Sequence, residues 1–140
     1  MKTARITVVL ITLLLSLQVP AFSGTASFTL DEGAYNSVPQ PRLRYPIYDR
    51  VSLEKGKPLV FQWWNDFAET SGFILKVYKG YNMDAANLIL KKDLSPGVSS
   101  LEVSPDLFED GQVYTWSLIR IAFAGHKSDK SFNSFKIIKK

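Results

Sequence analysis

"VYTWSLIRI", residues 113–121, alternates for its first half and then stops alternating. Successive side chains of an extended strand point to opposite faces, so Tyr114, Trp116 and Leu118 share one side. Val113, Thr115, Ser117, Ile119 and Ile121 share the other, which turns apolar only toward its end. A period of two running out of the turn residues "EDG" at 109–111 reads as a strand with a core face.

The same period recurs on both sides. In "PLVFQWW", residues 58–64, Leu59, Phe61 and Trp63 lie on one face and Val60, Gln62 and Trp64 on the other, so Trp63 is core and Trp64 is not. In "FILKVYKG", residues 73–80, Phe73, Leu75 and Val77 oppose Ile74, Lys76 and Tyr78. Shorter runs at "NLIL", "SSLEV" and "KSFNSFKII" follow, split by "SPG", "SPDLFEDG" and "AGHKSD". No helical period is sustained beyond residue 23. Strands at intervals of about ten residues predict an all-β fold, a single seven-stranded antiparallel β-sandwich over residues 43–140.

The N-terminus is of another kind. Lys2 and Arg5 precede "ITVVLITLLLSLQVPAF", which Pro20 breaks and small residues follow. This is the layout of a secretory signal peptide over residues 1–23, cleaved after Ser23 or alternatively after Ala26. An uncleaved anchor is the rival, but the run from Ile6 to Phe22 is short for a span and carries Gln18 and Pro20. Residues 24–42 read as a flexible Gly-, Ser- and Pro-rich leader. The chain has no cysteine, which excludes disulfides and a lipidated cysteine; export to a bacterial periplasm or cell surface is the expected location. No stable membrane insertion is expected once the signal is removed.

Charge excludes little. Without Lys2 and Arg5, 15 basic side chains stand against 13 acidic ones, a net of +2. The excess gathers at Lys127, Lys130, Lys136, Lys139 and Lys140 against Asp129. Such a run reads as a solvated strand edge and tail, where lysines discourage sheet-to-sheet pairing; no nucleic-acid partner is expected of an exported chain.

"PLVFQW", "GFILKVY" and "LFEDGQVYTWSL" together resemble a fibronectin type III or related immunoglobulin-like module of exported bacterial proteins. The resemblance covers residues 43–138 and places Trp63 as the strand-B core tryptophan. Leu107, Gly111 and Tyr114 match the approach to strand F, one residue looser than the usual spacing, and Trp116 matches a "YxW" variant. It implies a sandwich of binding, adhesive or spacer character with no catalytic residues. Tyr114 is then a tyrosine corner, its ring in the core and its hydroxyl bonded to a nearby backbone carbonyl.

Catalytic equipment is sparse. His126 is the only histidine, so no histidine metal cluster can form, and its neighbours Ser128 and Asp129 sit in a loop without the rigid placement a triad needs. There is no thiol nucleophile and no phosphate-cradling glycine run, and no enzymatic role or cofactor is expected. Asp106, Glu109 and Asp110 crowd one turn but match no calcium loop; Asp and Gly form turns on their own account.

Two binding surfaces are expected instead. The resemblance implies that Ile74, Tyr78, Ile119 and Ile121 meet on the outer face of the C-F-G sheet, an apolar patch suited to an envelope protein or a second copy. Two readings make the patch structural: coverage by the leader through Phe28, Leu30 or Tyr35, or a β-bulge near Leu118 that turns the isoleucines inward and Arg120 outward. The alternative surface is a glycan platform of Trp64, Tyr78 and Tyr81. A polar surround of the aromatics favours polysaccharide and an aliphatic one favours protein; Asn65, Asp66 and Asn82 are their near neighbours in sequence.

Overall fold

The computed structural model describes residues 37–140. The expected signal peptide, leader residues 24–36 and with them Phe28, Leu30 and Tyr35 lie outside the described residues. Eight strands form: β1 (Arg42–Tyr45), β2 (Arg50–Leu53), β3 (Leu59–Trp64), β4 (Thr70–Lys79), β5 (Leu88–Leu94), β6 (Ser100–Val103), β7 (Val113–Ala122) and β8 (Ser131–Lys139). They build a three-stranded sheet in the order β1-β3-β6 and a five-stranded sheet in the order β2-β8-β7-β4-β5. This is a two-sheet β-sandwich.

The count corrects the expected seven, and the pairing is not wholly antiparallel, because β2 runs parallel to β8. The extra strand arises at Pro46, which follows β1 directly and has no N–H to continue a ladder. The chain leaves β3 there and joins the edge of the other sheet. Trp116 Nε1 and Asn133 Nδ2 pin this crossing by donating to the Pro46 carbonyl, at 2.9 and 3.2 Å.

The alternation sets the core. Leu59, Phe61 and Trp63 from β3, Phe73, Leu75 and Val77 from β4, and Tyr114, Trp116 and Leu118 from β7 are all buried. Their rings interlock: Phe61 lies 5.0 Å from Trp116, Trp63 meets Phe73 edge-on at 5.6 Å, and Phe108 meets Tyr114 edge-on at 5.0 Å. Tilted and edge-on pairs are the arrangements that ring quadrupoles favour. The Tyr114 hydroxyl accepts the Glu109 N–H at 2.8 Å, where a bond to a carbonyl was expected. The turn before β7 presents its N–H inward, so the corner is tied through a donor.

The register also corrects one alternative for the isoleucines. β7 pairs β4 without interruption from Tyr114 to Ile121, and the irregularity lies opposite its end, between Thr70 and Gly72. Ile119 and Ile121 therefore face outward, and Arg120 points into the sandwich with 1% exposure. The chain directions place the 65–69, 95–99 and 123–130 connections at one pole, called upper here, and the 54–58, 80–87 and 104–112 connections at the lower one.

Candidate functional site

The outer face of the five-stranded sheet is assembled from odd positions of β7 and even positions of β4 and β8. Ile119 stands directly opposite Ile74, Ile121 opposite Gly72, and Phe132 opposite Ser117, one diagonal step from Ile119. Cross-strand and diagonal neighbours on one face are within reach of each other. Ile74, Ile119 and Ile121 are half-buried, while Phe132 is 58% exposed. Phe132 also borders an open, largely polar depression of about 470 Å³ lined by Gln40, Leu43, Ile47, Lys130, Ser131 and Asn133.

Tyr78, expected in this patch, lies on the same face but keeps only 6% exposure between Leu88 and Thr115, so it offers a partner little area. Phe132 is the member that reading by sequence overlooked. Its signal was available: with Phe135 and Ile137 inward, alternation along "SFNSFKII" turns Phe132 outward. Phe123, 67% exposed in the 123–130 loop, extends the same parity beyond β7; Ala124 beside it holds a left-handed φ of 61°.

This face is also cationic. Arg50, Lys76, Lys91 and Lys136 project from β2, β4, β5 and β8 on the outer side, against Asp93 alone. None of the four makes an ion pair among the described residues.

The glycan platform is not brought together. Trp64 ends β3 at the upper pole on the three-stranded sheet, whereas Tyr81 follows β4 at the lower pole of the other sheet. The ten-residue β4 alone separates the poles by roughly 30 Å. Trp64 instead carries two guanidinium groups, Arg44 at 5.1 Å and Arg42 at 5.6 Å from its ring centre, a cation–π arrangement.

The other candidate residues are occupied by structural bonds. Glu109 pairs with Lys79 at 3.0 Å, Asp110 accepts the Lys139 N–H at 2.8 Å, and Asp106 takes part in the Ser104 cap, so the three acids do not converge. The Ser128 hydroxyl accepts the Arg120 N–H at 2.9 Å and donates to the Asp129 carbonyl. Among the described residues no three metal-ligating side chains gather, and no helix is long and apolar enough to cross a membrane.

No family model matches the chain, and no curated protein does either. Among solved structures it is similar to a computationally redesigned β-sandwich protein at 12% identity and a TM-score of 0.53, over 73% of this chain and 97% of that one. The likeness shows the sandwich fold. The FN1–FN3 domains of chicken CNTN1 align at 10% identity and a TM-score of 0.47, over 71% of this chain; this chain spans 32% of that one.

Proposed function

We propose that this fibronectin type III-like sandwich is an exported, non-enzymatic binding module of the cell envelope that contacts a partner protein through the outer face of its five-stranded sheet. The observation that carries the reading is the contiguous apolar row Ile74, Ile119 and Ile121 with Phe132 standing proud of it. A row of isoleucines beside one exposed aromatic anchor suits protein contact, since few residues supply most of an interface's energy.

The charges select the kind of partner. An isologous dimer through this face would bring both copies' cations into one interface with only Asp93 of each copy to offset them. A partner with an apolar centre and an acidic rim is complementary, and complementary charge speeds encounter and excludes the wrong surface. Export rests on the signal-like residues 1–23 and is checked by the N-terminal mass of the secreted protein.

The test is affinity capture from the host's envelope with the chain from Gly24, alongside an Ile119→Lys/Ile121→Lys variant whose melting is shown to be cooperative. The retained protein is identified and purified, and its affinity for each version is measured by calorimetry. A loss of roughly 100-fold is expected from two disrupted contact residues. Equal affinity of the two versions would sink this reading.

A further inference from the structure

The outer face of the three-stranded sheet differs in chemistry from the face just described. Arg42 pairs with Trp64 across β1 and β3, Gln62 lies opposite Ser100 across β3 and β6, and an irregularity in β1 falls between Leu43 and Tyr45, at Arg44. A β-bulge re-aims a side chain and bends its strand. Here it brings Arg44 onto the same indole as Arg42, at 5.1 and 5.6 Å, on a ring that is 47% exposed.

The two arginines are not equivalent. Arg42 is engaged by Asp66, which accepts from its Nε and Nη2 at 3.0 and 2.6 Å and is shared with Arg120. Arg44 makes no hydrogen bond or ion pair with any described residue. The indole plate thus carries one guanidinium fork whose donors no described residue uses. Such a fork matches a carboxylate in a bidentate way, and fixing it beforehand lowers the entropy lost on binding.

We propose that this face binds a carboxylated polysaccharide, with Arg44 as the fork for a uronate group and Trp64 as the plate that orients it. Gln62 and Ser100 lie alongside as partners for sugar hydroxyls. Because the guanidiniums already occupy the ring, Trp64 does not stack on the sugar itself. The polar surround distinguishes this face from the aliphatic one, which suits protein. The fork takes one uronate at a time, and a polyuronate offers it many equivalent ones along one chain.

Polygalacturonate is the probe, titrated calorimetrically into the chain from Gly24, beside its methyl ester and poly-L-glutamate. Saturable binding of polygalacturonate is expected, with loss of about tenfold or more in Arg44→Gln, since a charge-assisted fork is removed. Trp64→Leu, which keeps every charge, should lose a comparable factor. Lys55→Gln, at the lower pole, should lose nothing, and thermal melts establish that each variant is folded. Absence of binding, equal binding of the methyl ester, equal or tighter binding of poly-L-glutamate, or full binding by Arg44→Gln or Trp64→Leu would each overturn the proposal. None of these residues belongs to the five-stranded sheet, so failure here is separable from failure of the protein-binding reading.

Discussion

Arg120 brings a guanidinium into a core of aromatic rings. It lies 5.3 Å from the centre of the Phe67 ring and 5.9 Å from that of Phe73, and donates to the Pro39 carbonyl at 3.0 Å and to Asp66 Oδ1 at 3.1 Å. Its Nε has no partner among the described residues. A buried cation so sparsely paired depends on its one carboxylate. Arg42 on Oδ2, aided by Arg120 on Oδ1, holds the Asp66 carboxyl below the usual aspartate range against its partial desolvation. A carboxyl depressed in the folded state contributes stability above its unfolded pKa, and that contribution is lost as pH falls through the folded value. Asp66→Asn should therefore be less stable than wild type at pH 7, and the gap should shrink as the pH is lowered through the acid range. Urea unfolding of both proteins at several pH values measures this, and a gap independent of pH would show that the carboxyl's charge is not the cause.

At the scale of elements, β4 shows how closely strands approach. A Cβ on Gly72 would lie 2.8 Å from the Leu94 carbonyl oxygen of β5, and that oxygen is backbone in a paired strand. Gly72→Ala should cost about 1–3 kcal/mol in urea unfolding, the usual range for forced overpacking. Gly97→Ala has open space around its new methyl group, and its stability should be unchanged or raised by up to about 1 kcal/mol. Strand existence and inward faces were legible for β3, β4 and β7, where alternation runs through large apolar residues. β1 and β2 were not separable by pattern: each has four residues, and their division depends on which sheet each segment can hydrogen-bond. β8 was legible as a strand, but the importance of Phe132 emerged only when its register placed it beside Ile119.

At the scale of the whole molecule, residues 37–41 are fastened to the sandwich by backbone carbonyls. Pro39 and Pro41 supply carbonyls to Arg120 and Ser131, so residues before β1 are tied to β7 and β8, and Pro46, just after β1, supplies one to Trp116. A chain beginning at Arg42 should be less stable than one beginning at Ser37 by about 1–3 kcal/mol, the cost of leaving buried donors unpaired. Equal unfolding midpoints would show that water satisfies Arg120 as well as Pro39 does.

The sequence by itself determined that this chain builds a β-sandwich, that Phe61, Trp63, Tyr114 and Trp116 enter its core, and that Ile119 and Ile121 lie on the side of β7 away from Tyr114, Trp116 and Leu118. Those are consequences of a two-residue period and of apolar burial, and both act locally along a strand. Only the tertiary structure decided that Phe132 joins the isoleucines, that Lys76 and Lys91 lie beside them, that Tyr81 is remote from Trp64, and that Arg44 meets an indole. Each of these depends on register between strands far apart in the chain, and a shift of one residue exchanges the faces without altering the local pattern.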